Sequence, residues 1–323
     1  MGSHVIEGSS FNQLYAGVLN YLLSYGVEVS PRGIPTVEIR GCVLRLKNPR
    51  TRVLQVPGRV QNPAFAVAES VWILSGSDSS WIFAYNKGLA RYADGGVLRG
   101  AYGPRIRRWG GTFDQLERVR DLLRRDPQSR QAVIQIFDPA RDWVPSRDVP
   151  CTIGHRFLVR DGALHLHTTM RSQDAWLGLP YDLFVNTVLQ ELMAGWLTVP
   201  IGEYVHTVDS LHLYATDILG AEGASNGQDA KPGDSTALDV PLTVPFEELD
   251  AILADVREGN DSSLAPGWRS YATAMASYRH WKAGSTEKAM REAEQVDGPL
   301  GQALTRWYRH LADRLQPSPA TAT

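Results

Sequence analysis

Cysteine is nearly absent: Cys42 and Cys151 are the only two in 323 residues. That is too few for a disulfide framework, and it points to free thiols in a reducing, cytoplasmic setting. Long uncharged apolar runs of the kind that cross a bilayer are missing as well, which excludes a spanning segment. A basic excess is also lacking, since 33 Lys and Arg stand against 35 Asp and Glu, for a net charge of -2. Polynucleotide binding, which needs cations matched to many phosphates, is therefore disfavoured, while a small anionic ligand is not. The stretches GGVLRG and SGSDSS have neither the P-loop lysine nor dinucleotide-loop spacing, so they read as ordinary loops. His165 and His167 alternate onto one strand face, but no further Cys/His cluster completes a ligand set, so no metal is expected.

What is present is a globular composition, 43% hydrophobic and 21% charged, without internal repeats or a convincing linker. The reading is one domain over residues 11–315. The opening MGSHVIEGSS has no charged start followed by an apolar core, so residues 1–10 are expected to be a tag remnant or disordered leader. Residues 316–323 are expected to be a disordered tail, and the Gly-, Ser- and Asp-rich GAEGASNGQDAKPGDST a mobile surface loop.

Periodicity predicts helices over Phe11–Tyr25, Pro63–Leu74, Thr112–Arg125 and the run LFVNTVLQELMAGWL after Pro180. Strand patterns cover Thr36–Leu46, with Gly41 as a candidate bulge, then Ala132–Phe137, His155–Val159, Ala163–Thr169 and Tyr204–Tyr214. Mixed order of this kind favours an α+β fold over regular βαβ repetition.

A lone cysteine is commonly a small buried hydrophobe. Cys151, however, stands in VPCTIGHRF, twenty residues before MRSQDAWLGLPYDLFVNT. Pro150-Cys151 followed by RSxDxxLGLPxx resembles the signature of the thymidylate synthase family, which includes the pyrimidine hydroxymethylases. The resemblance runs roughly from Arg32 to Tyr214, with several motifs in the family's order. It implies a large mixed β-sheet packed by helices, and a homodimer whose sheets face each other.

By that resemblance Cys151 is the nucleophile that adds to C6 of a pyrimidine and makes C5 attack a one-carbon electrophile. Glu69, in AESVWILSG, corresponds to the glutamate that manages water and protons around the base, a task suited to a carboxylate with a raised pKa. Tyr102 in AYGPRIRRW corresponds to the tyrosine near the reacting sulfur. Arg32, Arg171 and Ser172 correspond to the phosphate site, where guanidinium forks match phosphate oxygens. Arg130 corresponds to an arginine lent by the other subunit, although Gln131 stands where the family usually has a second one. His212 and Tyr214 correspond to the sugar-binding His-x-Tyr pair, placed on one strand face by their spacing. Asp174 and Trp72 are implied on the folate side, with 5,10-methylenetetrahydrofolate as carbon donor. Taken singly, each of these charged residues is an ordinary solvated side chain, and Asp182 an ordinary helix cap.

Asp182 bears on the substrate. Family synthases commonly have Asn there, whose amide donates to uracil O4 and accepts from N3–H. A carboxylate only accepts, so it suits the cytosine amino group. Thr152 and Met170 depart from the family's usual His and Gln, and HLADRLQPSPATAT does not match the tail that closes over folate before hydride transfer. These features imply a hydroxymethyltransferase acting on CMP or dCMP, with water rather than hydride completing the reaction. A divergent thymidylate synthase methylating dUMP and a noncatalytic nucleotide-binding dimer are the alternatives. Ribose against deoxyribose stays open.

Overall fold

Alternating apolar and polar side chains over residues 36–46 and 204–214 become the two longest paired strands of the protein, described here from a computed structural model covering residues 4–225, 238 and 240–315. In chain order the first half contains β1 (His4–Gly8), α1 (Phe11–Tyr25), β2 (Val27–Val29), β3 (Thr36–Leu46), α2 (Pro63–Leu74), α3 (Tyr102–Arg107), α4 (Gln115–Arg125), β4 (Val133–Gln135) and α5 (Pro139–Asp142). Then follow β5 (Thr152–Arg160), β6 (Ala163–Met170), β7 (Gln173–Asp174), α6 (Leu179–Leu197), β8 (Ile201–Tyr214) and α7 (Ile218–Ser225). The last quarter is helical: α8 (Leu249–Glu258), α9 (Pro266–Lys282), α10 (Thr286–Glu294) and α11 (Gly298–Leu315).

The eight strands form one mixed sheet in the order β1-β3-β8-β6-β5-β4, with β2 added to β3 and β7 to β8. Strand β8 is its axis, antiparallel to β3 and parallel to both β6 and β7. Burial along β6 alternates strictly, so Leu164, Leu166, Thr168 and Met170 face the core. Helix α6 packs across β6 and β8 on that side, and α2 packs on α6 and α9. Both helices are apolar nearly all round, the pattern of elements buried from every direction.

Several boundaries differ from the sequence reading. Residues His4–Gly8, expected in a leader outside the fold, pair in parallel with Cys42–Leu46 as an edge strand. Gly41 makes no bulge: pairing passes from Arg40↔Ser210 to Cys42↔Val208 without a shift, and Gly41 instead takes a left-handed φ of 69° inside the register. The helix expected from Thr112 starts at Gln115 because Asp114 caps it, its Oδ1 accepting from the Leu116 and Glu117 amides at 2.9 and 3.1 Å. Gly220–Ser225, read as part of a loop, belongs to α7, and Asn226–Thr236 lies outside the described residues, as do residues 316–323. No helix among the described residues is long and apolar enough to cross a membrane.

Candidate active site

Helix α2 is buried at every position except Glu69. The single carboxylate of the helix is thus its one half-buried position, and burial first, then the charge of Asp182, pushes its pKa well above the usual carboxylate value. Asp182 lies in the first turn of α6. The helix cap is Gly178, so Asp182 is not the cap that its residue type suggests. Its Oδ2 accepts from Gln173 Nε2 at 2.9 Å. Burial raises its pKa to about 6 against that hydrogen bond, and the Asp174 charge adds to the rise.

Cys151 sits one residue before β5, at the mouth of the sheet, partly exposed. The main chain of Arg171 donates to Cys151 O at 2.9 Å, while its Nε and Nη2 donate to Pro150 O and Val149 O at 2.9 and 3.0 Å. Arg171 is thereby tied to the loop that carries the sulfur. Burial raises the thiol pKa, Arg171 lowers it, Asp182 and Asp148 raise it, and Arg32 lowers it. The net rise runs against a resting thiolate: two arginines soften the burial without overcoming it. Cys42, by contrast, is fully buried and pushed up to about 11, an inert packing residue.

Tyr102 opens α3 and its hydroxyl accepts from the Thr152 amide at 3.3 Å, which places the phenol beside the residue that follows Cys151. Burial, then the charges of Asp182 and Cys151, raises its pKa well above the usual tyrosine value. Arg32 is exposed and holds a left-handed φ of 57°, an uncommon conformation for a side chain with a Cβ. Cys151, Glu69, Tyr102, Asp182, Arg171 and Arg32 are thus one electrostatically coupled group drawn from six parts of the chain.

The remaining residues lie at its margins. Ser172 is half-buried next to Arg171. His212 and Tyr214 are half-buried with rings edge to face at 5.2 Å, and His212 is in register with Asp174. One oxygen of Asp174 accepts from the amides of Trp176 and Leu177, each at 2.8 Å, which leaves its second oxygen for a ligand. Trp72, implied on the folate side, is 5% exposed, and its Nε1 donates to Ser79 O at 2.8 Å. Arg130 is exposed and is not coupled to the cluster within this protomer. Thr152 and Met170, both buried, are register partners across β5 and β6, so these two departures from the family pattern fill one spot next to Cys151.

Sequence reasoning missed Gln173 and His206, which sit behind Asp182. His206 Nε2 lies 3.0 Å from Gln173 Oε1 and its Nδ1 2.7 Å from Tyr204 Oη. The signal was a histidine at an inward position of a strand, legible only once the strand's partners are known. No group of three or more His, Cys, Asp or Glu among the described residues is arranged to hold a metal, and His165 Nδ1 accepts from the Glu203 amide at 3.1 Å.

Residues 13–231 match the thymidylate synthase family. A deoxyuridylate hydroxymethyltransferase of Bacillus phage SP01 is 35% identical over 328 residues, covering 96% of this chain and 82% of that protein. One of the same name from Delftia phage PhiW-14 is 29% identical over 215 residues, 60% of this chain and 59% of that protein. Similarity to hydroxymethyltransferases across almost the whole chain, together with the match over the segment carrying the sulfur, the carboxylates and the arginines, makes this protein a one-carbon transferase that belongs to the thymidylate synthase family.

Proposed function

We propose that the protein hydroxymethylates C5 of a cytosine nucleotide, CMP or dCMP, with methylenetetrahydrofolate as one-carbon donor. The observation that carries the base choice is Asp182, a carboxylate in the coupled cluster whose Oδ2 is already filled by an amide donor. Oδ1, with no donor among the described residues, is then left as an acceptor for the base. With a pKa of about 6 it is ionised at neutral pH, matching the N4 amino group of cytosine rather than O4 of uracil.

Cys151 Sγ adds to C6, its proton passing to solvent or a cleft base as the C–S bond forms, and the electron pair moves to C5. The folate supplies an electrophilic carbon at the oxidation level of formaldehyde, and Asp174 with its unused oxygen fits a donor group of that molecule. C5 loses its proton as the new C–C bond is completed and the carbon–nitrogen bond to the folate breaks. Glu69, whose pKa burial and then Asp182 push well above the usual carboxylate value, exchanges protons with the base and orients the water that adds to the exocyclic carbon. Elimination of Cys151 restores the ring, with the hydroxymethyl oxygen taken from water.

Arg171 spends Nε and one Nη2 proton on the Cys151 loop, and Nη1 stays available for the nucleotide phosphate together with Arg32 and Ser172. His212 and Tyr214 would meet the sugar. Arg130, outside the cluster of its own protomer, reaches the phosphate of a partner in a homodimer built on the sheet's uncovered face, where His165 and His167 are only half-buried. Mixing Arg130→Ala with Cys151→Ala protomers should then restore activity in the heterodimer, and equal inactivity of the mixture would refute shared sites.

A second reading follows from the names of the relatives, both deoxyuridylate hydroxymethyltransferases. A protonated Asp182 donates to uracil O4 as an amide does. Incubation with methylenetetrahydrofolate and CMP, dCMP, UMP or dUMP, with products resolved by mass spectrometry, separates the two. A hydroxymethylated cytosine nucleotide supports the first reading. Turnover of dUMP alone, falling as pH rises through about 6, establishes the second.

A further inference from the structure

Behind Asp182 lies a chain of buried polar side chains whose donor directions are forced. Gln173 Nε2 donates to Asp182 Oδ2 at 2.9 Å and to Asp174 O at 3.3 Å. Both neighbours are acceptors, so the amide is not free to flip, and Oε1 must face His206. His206 Nε2 therefore carries the proton, donating to Gln173 Oε1 at 3.0 Å, and Nδ1 accepts from Tyr204 Oη at 2.7 Å. Tyr204 in turn accepts from Asn186 Nδ2 at 2.9 Å. Every member behind Asp182 is buried, Gln173 at 2%, His206 and Tyr204 at 0% and Asn186 at 6% exposure. Burial pushes the imidazole down to about 3, so it is neutral and its tautomer is set by its partners.

A second observation shows that this contact is built in. Gly178 has an ordinary negative φ of -90°, so its backbone needs no glycine. Any Cβ there would stand 2.8 Å from Gln173 Nε2 and 3.4 Å from Asp182 Oδ2. The missing side chain leaves the space in which the amide meets the carboxylate.

We propose that Gln173, locked by the His206–Tyr204–Asn186 chain, is the positioning residue that fixes Asp182 with one oxygen occupied and one acceptor oxygen presented to the pyrimidine. The inference rests on the reading of Asp182 as the base-facing group. Satisfied buried networks of this kind hold a single geometry because any rotation strands a donor or acceptor away from water. Gln173 also donates to the charged form of Asp182, and so works against burial in keeping an acceptor-only carboxylate. The other titratable groups facing Asp182 are Glu69 on α2, Tyr102 on α3, Cys151 before β5, Asp174 on β7 and Tyr204 on β8.

The test compares the wild-type protein with Gln173→Met, Gly178→Ala, His206→Phe, His206→Gln and Asp182→Asn. KM and kcat are measured for CMP, dCMP and dUMP between pH 5.5 and 8.5. Gln173→Met should raise KM for the preferred nucleotide by roughly tenfold to a hundredfold, the weight of a hydrogen bond to a charged group, and move the acidic limb of KM to higher pH. Gly178→Ala, which removes no polar atom, should shift both in the same direction, and it carries the test if Gln173→Met does not fold. His206→Gln, which keeps a donor towards Gln173, should recover part of the loss seen in His206→Phe. Wild-type KM and pH limb in Gln173→Met or Gly178→Ala, alongside altered base preference in Asp182→Asn, would overturn the positioning role and leave the Asp182 reading intact. Unchanged base preference in Asp182→Asn would take down both.

Discussion

Two kinds of buried charge coexist in this protein. Arg52 is fully buried and pairs with Glu191 of α6 at 2.5 Å, with Arg50 adding a contact at 3.2 Å. Arg105 of α3 grips Asp142 with two bonds of 2.6 and 2.7 Å while donating to Ile136 O and Arg99 O. Burial works against the Asp142 carboxylate, yet the arginine bonds outweigh it and hold its pKa below the ordinary value. Around Cys151 the same two helices, with α2 beside them, show the opposite condition. Tyr102 on α3, Asp182 on α6 and Glu69 on α2 lie near one another with no salt-bridge partner among the described residues, and all three are raised. Paired charge anchors each helix at one point so that unpaired acid can be held at another. The lesson is that the cost of an uncompensated carboxylate is borne by a rigid neighbourhood, and such a group is then available for proton transfer.

The largest effect expected from breaking the contrast is on the reactive side. Cys151→Ala should reduce product below detection by mass spectrometry while leaving the thermal midpoint unchanged, because the sulfur makes no packing contribution comparable to that of buried Cys42. On the paired side, Arg52→Met leaves Glu191 buried with only the half-buried Arg50 as a cationic partner. Denaturant titration should show a loss of about 3–5 kcal/mol.

Glu69→Gln should lower kcat roughly a hundredfold or more, the usual share of a positioned acid or base, without loss of stability. The sign follows from the raised pKa. A carboxyl that binds its proton more tightly when folded is neutral at low pH in both states, and destabilises the fold as pH rises from its unfolded value through its folded one. Urea midpoints of Glu69→Gln and wild type should therefore converge near pH 4 and separate in favour of the variant by pH 8. The smallest effect concerns Asp182. Cytosine turnover should weaken as pH falls through about 6, where the acceptor becomes protonated, and in Asp182→Asn that limb should disappear from a pH profile of kcat/KM.

Much of the fold was legible in the chain. Phe11–Tyr25, Pro63–Leu74 and Thr36–Leu46 fall within the bounds that periodicity marks, because each is apolar on a face or throughout and ends at a local stop. The helix from Asp114 and the strand His4–Gly8 were misjudged for different reasons: a cap acts over three residues, whereas an edge strand exists only because β3 offers it a partner.

The sequence alone determined the inventory of this protein: a thiol at 151, a carboxylate where an amide is usual at 182, and the motifs that order them. Tertiary structure decided their condition. Burial, not residue type, raises Glu69, Asp182 and Cys151. Burial likewise leaves Trp72 only 5% exposed, and the parallel pairing of β7 with β8 brings Gln173 and His206 behind Asp182 from 33 positions apart. Desolvation and hydrogen-bond direction depend on what surrounds an atom on every side, and a linear chain records only its neighbours in order.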